Sequence, residues 1–372
     1  MSDARLIANP LLNKAATGSL VKESQTFHQS FPGYAPTPLR SLPQTAQLLG
    51  VRSVHVKDES MRMGMPSFKI LGASWATYRV LLAHFGLPLS GQPSLDDLRA
   101  RLAEGPALSL TAATDGNHGR AVARMASLLG LSAHIFVPND MVQERIDAIA
   151  GEGATVEVVN GGYDDAIARS AERADTYTLV ISDTSWEGYV DPPSWVIDGY
   201  STMISEVLQE IESGAVPQPT FVTAQIGVGA FAAAVVRGFA GSTGTTLVGV
   251  EPTSADCVTV SVEQRGITTI PGPQQSIMAG LNCGTPSLIA WPDVSQGFDF
   301  MATVSDDDAA DAMRTLHVDG IVSGESGAAG LAGLLTHASA LGLCPDDDVL
   351  IFSTEGATDV ASFNRITGAT LS

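Results

Sequence analysis

The sequence predicts an α/β protein with two open parallel-sheet domains, and three observations carry that expectation. Short, apolar, β-rich runs alternate with amphipathic helical runs over most of the 372 residues. The strand-like runs lack polar alternation, so each is covered on both faces. Strands separated by helices join in parallel, through right-handed crossovers.

In chain order, residues 108–113, 133–137, 155–159 and 178–181 read as strands, with helices expected at 121–129, 142–150 and 164–174. These units, between residues 106 and 182, are tightly spaced and would close as a small open sheet. A further helix is expected at 195–211, and a second group starts near residue 218, with strands at 221–225, 247–251 and 349–353 and a helix at 327–340. It would make the larger sheet. The Pro- and Gly-rich segment 268–300 shows no period and is expected to lie across the surface of the larger domain. Acidic runs at Asp306–Asp308 and Asp346–Asp348 fit a helix N-terminus or a solvated turn. The expected division is a large domain of 1–75 with 196–372, interrupted by a small domain of 76–195.

A hydrophobic content of 44% and a charged content of 16% place the chain among folded globular proteins. Its formal charge of −20 makes nucleic acid and anionic lipid poor partners. The first residues carry no apolar signal region, and the most apolar stretch, 221–236, is short and interrupted by Gln225, Gly227 and Gly229. A cytoplasmic location is expected. The three cysteines, Cys257, Cys283 and Cys344, have no metal-ligand spacing, and no metal is expected.

Four lysines serve the whole chain, against sixteen arginines. Lys69 lies in Pro66-Ser67-Phe68-Lys69-Ile70-Leu71-Gly72-Ala73, at the opening of an apolar helical pattern. Apolar neighbours desolvate an amine and favour its neutral, nucleophilic form, which can condense with an aldehyde. Three strand ends add further chemistry. After the first strand comes Thr114-Asp115-Gly116-Asn117-His118-Gly119-Arg120, a turn whose backbone N–H groups and following helix suit a carboxylate. Gln225-Ile226-Gly227-Val228-Gly229-Ala230-Phe231 joins a strand to a helix without a P-loop lysine and with an incomplete dinucleotide fingerprint, which favours a single phosphate. Phe352-Ser353-Thr354-Glu355-Gly356 places hydroxyls at the last strand's carboxyl end, where they can meet a heterocyclic nitrogen. Together these supply an amine for an aldehyde, a donor for a phenolic oxygen, a phosphate loop and a hydroxyl for a ring nitrogen.

That set resembles the fold-type II pyridoxal-phosphate enzymes of the tryptophan synthase beta-like family, and within them the diaminopropionate ammonia-lyase group. Further motifs carrying the likeness are Asp183-Thr184-Ser185-Trp186-Glu187-Gly188-Tyr189, Ile277-Met278-Ala279-Gly280-Leu281 and Ser323-Gly324-Glu325-Ser326-Gly327-Ala328. The resemblance implies an active site between the two domains, with Lys69 as the Schiff-base lysine following Phe68. It implies Asn117 at the cofactor's O3′, and Gly227, Val228, Gly229, Ala230 and Phe231 around the phosphate. Ser353, or failing it Thr354, would face the pyridine nitrogen. Substrate would meet Asp115, Gly116, His118, Gly119 and Asp183. A homodimer is implied in the same way. The segments holding Cys257 and Cys283 also resemble the family, which leaves a disulfide and two buried thiols both open.

The expected reaction is α,β-elimination of 2,3-diaminopropionate to pyruvate and two ammonia, that of a carbon–nitrogen lyase. Lys69 and Asp115 are expected as bases on opposite faces of the cofactor, which would let both configurations at Cα react. An amine leaves as ammonium, so the paired carboxylates Asp115 and Asp183 favour it over a hydroxyl leaving group. Asp115 also stands where serine and threonine dehydratases usually carry a small residue. Those dehydratases and a hydroxyaspartate-type lyase are the alternatives on the same fold. A nicotinamide-dependent dehydrogenase is the remote one, needing a fuller glycine fingerprint. Trp186 and Tyr189 are read as pocket walls or core aromatics, and Tyr163-Asp164-Asp165 as a helix start.

Overall fold

The computed structural model describes residues 4–90, 93–114 and 116–371. The described residues divide into two compact units, the first from 4–20, 36–68 and 203–371, the second from 21–35 and the described part of 69–202.

In the second unit, β4 (Ser109–Ala113), β5 (Ser132–Pro138), β6 (Thr155–Val159) and β7 (Thr178–Val180) form a parallel sheet in the order β6-β5-β4-β7. From β4 the chain winds outward through β5 to β6, then returns to place β7 on the other side of β4. Adjacent connections therefore leave the sheet in opposite directions between β4 and β7. That is a topological switch point, where strand carboxyl ends open a crevice. Phe136, Ala113 and Ala166 pack as one buried cluster behind it. Phe27, Trp75 and Tyr78 form an aromatic group on the helices Glu23–Gln29 and Lys69–His84.

The first unit holds β1 (Leu6–Ala8), β2 (Leu39–Ser41), β3 (Ser53–Asp58), β8 (Phe221–Gln225), β9 (Thr246–Pro252), β10 (Phe300–Val304) and β11 (Asp348–Ser353). They form one seven-stranded sheet in the order β1-β10-β9-β8-β11-β3-β2, parallel except for the antiparallel edge strands β1 and β2. Here β8, β9 and β10 wind one way while β11 inserts between β8 and β3. This sheet too has a switch point, between β8 and β11.

The sequence reading covered the central strands but not β1, β2, β3 or β10. β1 and β2 are three-residue edge strands with too few positions to show a period. β3 carries Lys57 and Asp58, which argue against a strand covered on both faces, yet both are buried. Lys57 escapes the desolvation cost because its Nζ donates to Glu206 Oε2 at 2.6 Å and to the Thr37 carbonyl at 2.8 Å. The expectation that 268–300 runs over the surface is corrected. Met278 and Leu281 belong to the main core, and the helix Trp291–Gly297 buries Val294. Isolated apolar residues in an aperiodic segment were enough to pull it inward. The run Asp306–Asp308 does open a helix, Asp306–Val318, with Ser305 and Asp308 in a reciprocal cap. Among the described residues no helix is long and apolar enough to cross a membrane.

Candidate active site

Two groups of side chains gather at the two switch points. In the second unit, Lys69 opens the helix Lys69–His84, and its Nζ donates to Asp183 Oδ2 at 2.7 Å. Asp183 follows β7 at the crevice between β4 and β7. Its other oxygen, Oδ1, accepts from the Tyr163 hydroxyl at 3.2 Å, and His118 Nδ1 stands 3.8 Å from Oδ2. The Ile181 carbonyl can only accept, so His118 Nε2, 2.8 Å from it, carries the hydrogen. That bond holds the ring with Nδ1 towards the carboxylate. Burial by itself would push the Asp183 carboxyl up, but the charges of Lys69 and His118, with hydrogen bonds from Lys69 and Tyr163, hold it well below the usual carboxylate range.

The backbone beneath this group is braced. Tyr189 OH donates to the Val180 carbonyl at 2.8 Å and accepts from Ser182 N at 3.1 Å, and its ring stacks on Trp186 at 4.2 Å. These two aromatics thus fix the strand end that presents Asp183. Burial pushes the Tyr189 phenol up, so it stays neutral.

At the neighbouring end of β4, Thr114 Oγ1 accepts from Gly116 N and Gly119 N, both at 2.9 Å. Gly116 caps the helix Asn117–Leu129 at φ 143° and ψ −78°, a conformation that favours glycine. Asn117 and His118 open that helix, at the N-terminus that follows Gly116. Asp115, expected here as the second base, lies outside the described residues.

In the first unit, the other switch point carries the turn after β8 and the segment after β11. Gly229 caps the ten-residue helix Ala230–Phe239 at φ 107°. A Cβ on Gly227 would lie 2.9 Å from the Gly280 carbonyl oxygen and 3.3 Å from Cys283 Sγ. Position 227 therefore lies too close to the segment after residue 278 to carry a side chain. Gly280 N in turn donates to Ser326 Oγ at 3.0 Å, which brings together three of the sequence motifs. Ser353 Oγ is buried against Ser323 Oγ at 2.8 Å, and Thr354 Oγ1 accepts from Gln225 Nε2 at 2.8 Å.

The arm that leads to Lys69 is stitched to the same segment. Glu59 N donates to the Ser353 carbonyl at 2.8 Å, Gly356 N to Pro66 at 3.0 Å, and Phe68 N to Thr354 at 3.2 Å. Phe68 packs on Phe231 at 5.2 Å, and Phe231 on Phe352 at 5.3 Å. Fully buried Arg62 anchors the arm through Glu59 and Glu206. Burial alone would lower its guanidinium, but those two carboxylates raise it further above its ordinary value.

These residues fit a pyridoxal-phosphate cofactor. A helix N-terminus follows a turn whose Gly227 lets the backbone pass closely, and buried hydroxyls lie at the adjacent strand end. The family model for pyridoxal-phosphate dependent enzymes matches residues 30–355. The chain belongs to that family. This pyridoxal-phosphate enzyme is 36% identical over 367 residues to a diaminopropionate ammonia-lyase of Escherichia coli (strain K12), covering 94% of this chain and 91% of the relative. It is also similar to the crystal structure of diaminopropionate ammonia lyase from Escherichia coli in complex with D-serine, with a TM-score of 0.90, 34% identity and coverage of 98% of this chain and 97% of that one. A third likeness is to the same Escherichia coli enzyme in complex with an aminoacrylate-PLP azomethine reaction intermediate, at a TM-score of 0.88 and 34% identity, covering 98% and 97% of the two chains.

Sequence reasoning missed Tyr163 and Gln225. Tyr163 starts the helix Tyr163–Ala171 and read only as a helix start, and Gln225 ends a strand. Each gains its partner from a residue 20 or 129 positions away, which no local period announces. Cys257 and Cys283 are buried thiols. Burial pushes the Cys257 thiol up, with smaller pushes from Glu251 and Cys283.

Proposed function

We propose that this pyridoxal-phosphate enzyme eliminates ammonia from 2,3-diaminopropionate, giving pyruvate and a second ammonia. The observation that carries the reading is the Lys69–Asp183 pair, a carboxylate held ionised 2.7 Å from the amine of the motif lysine. The relatives named diaminopropionate ammonia-lyase, aligned over nearly the whole chain, point the same way.

When bound, pyridoxal phosphate supplies the aldehyde that takes up the substrate amine and the ring that accepts the electron pair from Cα. Lys69 would hold the cofactor through its amine, and that amine would take the Cα proton from one face. Asp115 serves as base for the opposite configuration. Asp183 keeps Lys69 oriented and offers a negative charge that favours departure of the Cβ amine as ammonium, so that the Cβ–N bond breaks with its electrons on nitrogen. Tyr163 and His118 hold Asp183 in place. The turn at Gly116–Gly119, held open by Thr114, would receive the substrate carboxylate, Asn117 would meet the cofactor O3′, Gly227–Phe231 the phosphate, and Ser353 or Thr354 the ring nitrogen. We further propose a homodimer, which rests on the family resemblance, and a cytoplasmic location.

The test is a panel of D- and L-2,3-diaminopropionate, serine, threonine and 3-hydroxyaspartate with the purified holoenzyme, following pyruvate and ammonia. Diaminopropionate should be fastest. Faster turnover of serine would overturn the electrostatic argument. Asp115→Asn should lose the D-substrate far more than the L-substrate, and equal loss would end the two-face reading. Borohydride reduction should fix the cofactor on the peptide that contains Lys69.

A further inference from the structure

We propose that Gln225 is a positioning residue that clasps the crevice between β8 and β11 and thereby sets how tightly the cofactor is held. The proposal rests on the reading that Gly227–Phe231 and the Ser353–Thr354 pair grip pyridoxal phosphate. β8 and β11 pair through Phe221 and Val222 with Val349 and Leu350. Gln225 lies beyond those pairs, at the end of β8 and two residues before Gly227. Its side chain bridges the gap left where the ladder stops. Nε2 donates to Thr354 Oγ1 at 2.8 Å, to the Phe352 carbonyl at 3.1 Å and to the Gly327 carbonyl at 3.3 Å. One amide thus ties the turn after β8 to the end of β11 and to the first turn of the helix Glu325–Leu341.

The amide can face only one way. Reversing it would set Oε1 against the carbonyl oxygens of Phe352 and Gly327, which have no hydrogen to give. In the orientation present, Oε1 is buried with no hydrogen-bond partner. An unsatisfied buried acceptor is a cost to the fold. An apolar side chain of the same length would fill the space without that cost, so packing alone does not call for glutamine. Thr354 Oγ1 accepts from Gln225, which turns the hydroxyl's own hydrogen away from the amide and leaves it to donate elsewhere. On the other side of the turn, Ile226 N donates to the Val250 carbonyl at 2.8 Å. The start of the phosphate turn is therefore pinned towards β9 by backbone and towards β11 by Gln225.

The test compares wild-type protein with Q225M, which keeps the length and loses the donors, and Q225E, which keeps the shape. Cofactor is removed, and the dissociation constant for pyridoxal phosphate is measured by absorbance and fluorescence titration from mildly acidic to mildly alkaline pH, with apo-protein melting recorded alongside. Q225M should weaken the cofactor at least about tenfold at every pH, with cooperative melting retained. Q225E should bind near wild type at low pH, where the protonated carboxyl can donate, and lose affinity as pH rises and it ionises against two carbonyl oxygens. Wild-type affinity in both variants overturns the proposal. So does loss of cooperative melting in both with no pH dependence in Q225E, since Gln225 would then be a core residue only. Failure of the wild-type protein to bind the cofactor would instead sink the reading on which the proposal rests.

Discussion

Lys69 Nζ meets Asp183 Oδ2 at 2.7 Å, with the lysine side chain 17% exposed and the aspartate 6%. A pair so little hydrated interacts more strongly than a surface ion pair, and removing either charge leaves the other uncompensated. It also explains why the Asp183 carboxyl stays ionised despite its burial.

Asp183→Asn should lower turnover of diaminopropionate by about 100-fold or more, in the range for losing a charged group beside a proton-transfer residue. The substitution has a second signature. Because the folded carboxyl is held low, the stability it contributes is present above the ordinary carboxylate range and is lost only as pH falls below it. Thermal melting against pH should therefore show a shallower acid decline in the variant than in the wild type.

Tyr163→Phe removes the donor to Asp183 Oδ1. It should reduce kcat/KM by about tenfold, the scale of one hydrogen bond to a charged group. Loss of a donor to the ionised form raises a carboxyl, so the acid limb of the rate profile should move to higher pH. An unmoved limb would show that Tyr163 does not support Asp183.

Gly227→Ala would press a methyl against the Gly280 carbonyl at 2.9 Å, a backbone neighbour that cannot swing aside. The turn must shift, and cofactor affinity should weaken about tenfold, on the scale of overpacking a tight contact. Equilibrium dialysis with pyridoxal phosphate measures it. Undiminished affinity would remove the phosphate from this turn.

Glu251 is a buried carboxyl at the end of β9 that accepts from Val258 N, Thr259 N and Thr259 Oγ1. Burial pushes it up to about 8 against an ordinary value of 4.5, despite those donors. The folded state then binds the proton more tightly than the unfolded chain, so this group favours folding at low pH and costs stability as pH rises towards 8. Glu251→Gln should flatten the decline in melting temperature over that window by several degrees. An identical slope would contradict the assignment.

Much of the site was legible because its chemistry restricts residue type. An amine in apolar company, glycines where a phosphate would approach, and hydroxyls at a strand end stand out without coordinates, and Lys69, Gly227, Gly229 and Ser353 are candidates on that ground. The central strands were legible from continuous apolar runs. β3 was not, because Lys57 looks exposed until Glu206, 149 positions away, is placed beside it.

What the chain determines by itself is local: the alternation of strand and helix, the glycine-bearing turn at Gly116, and the side chains each strand end can present. What only the tertiary structure decides is order and company. That β11 inserts between β8 and β3, opening a crevice beside Gly227, depends on which sheet edges are free when the chain returns. Periodicity reports how an element faces the core and not which element becomes its neighbour. Tyr163 beside Asp183 and Gln225 beside Thr354 exist only once that order is set.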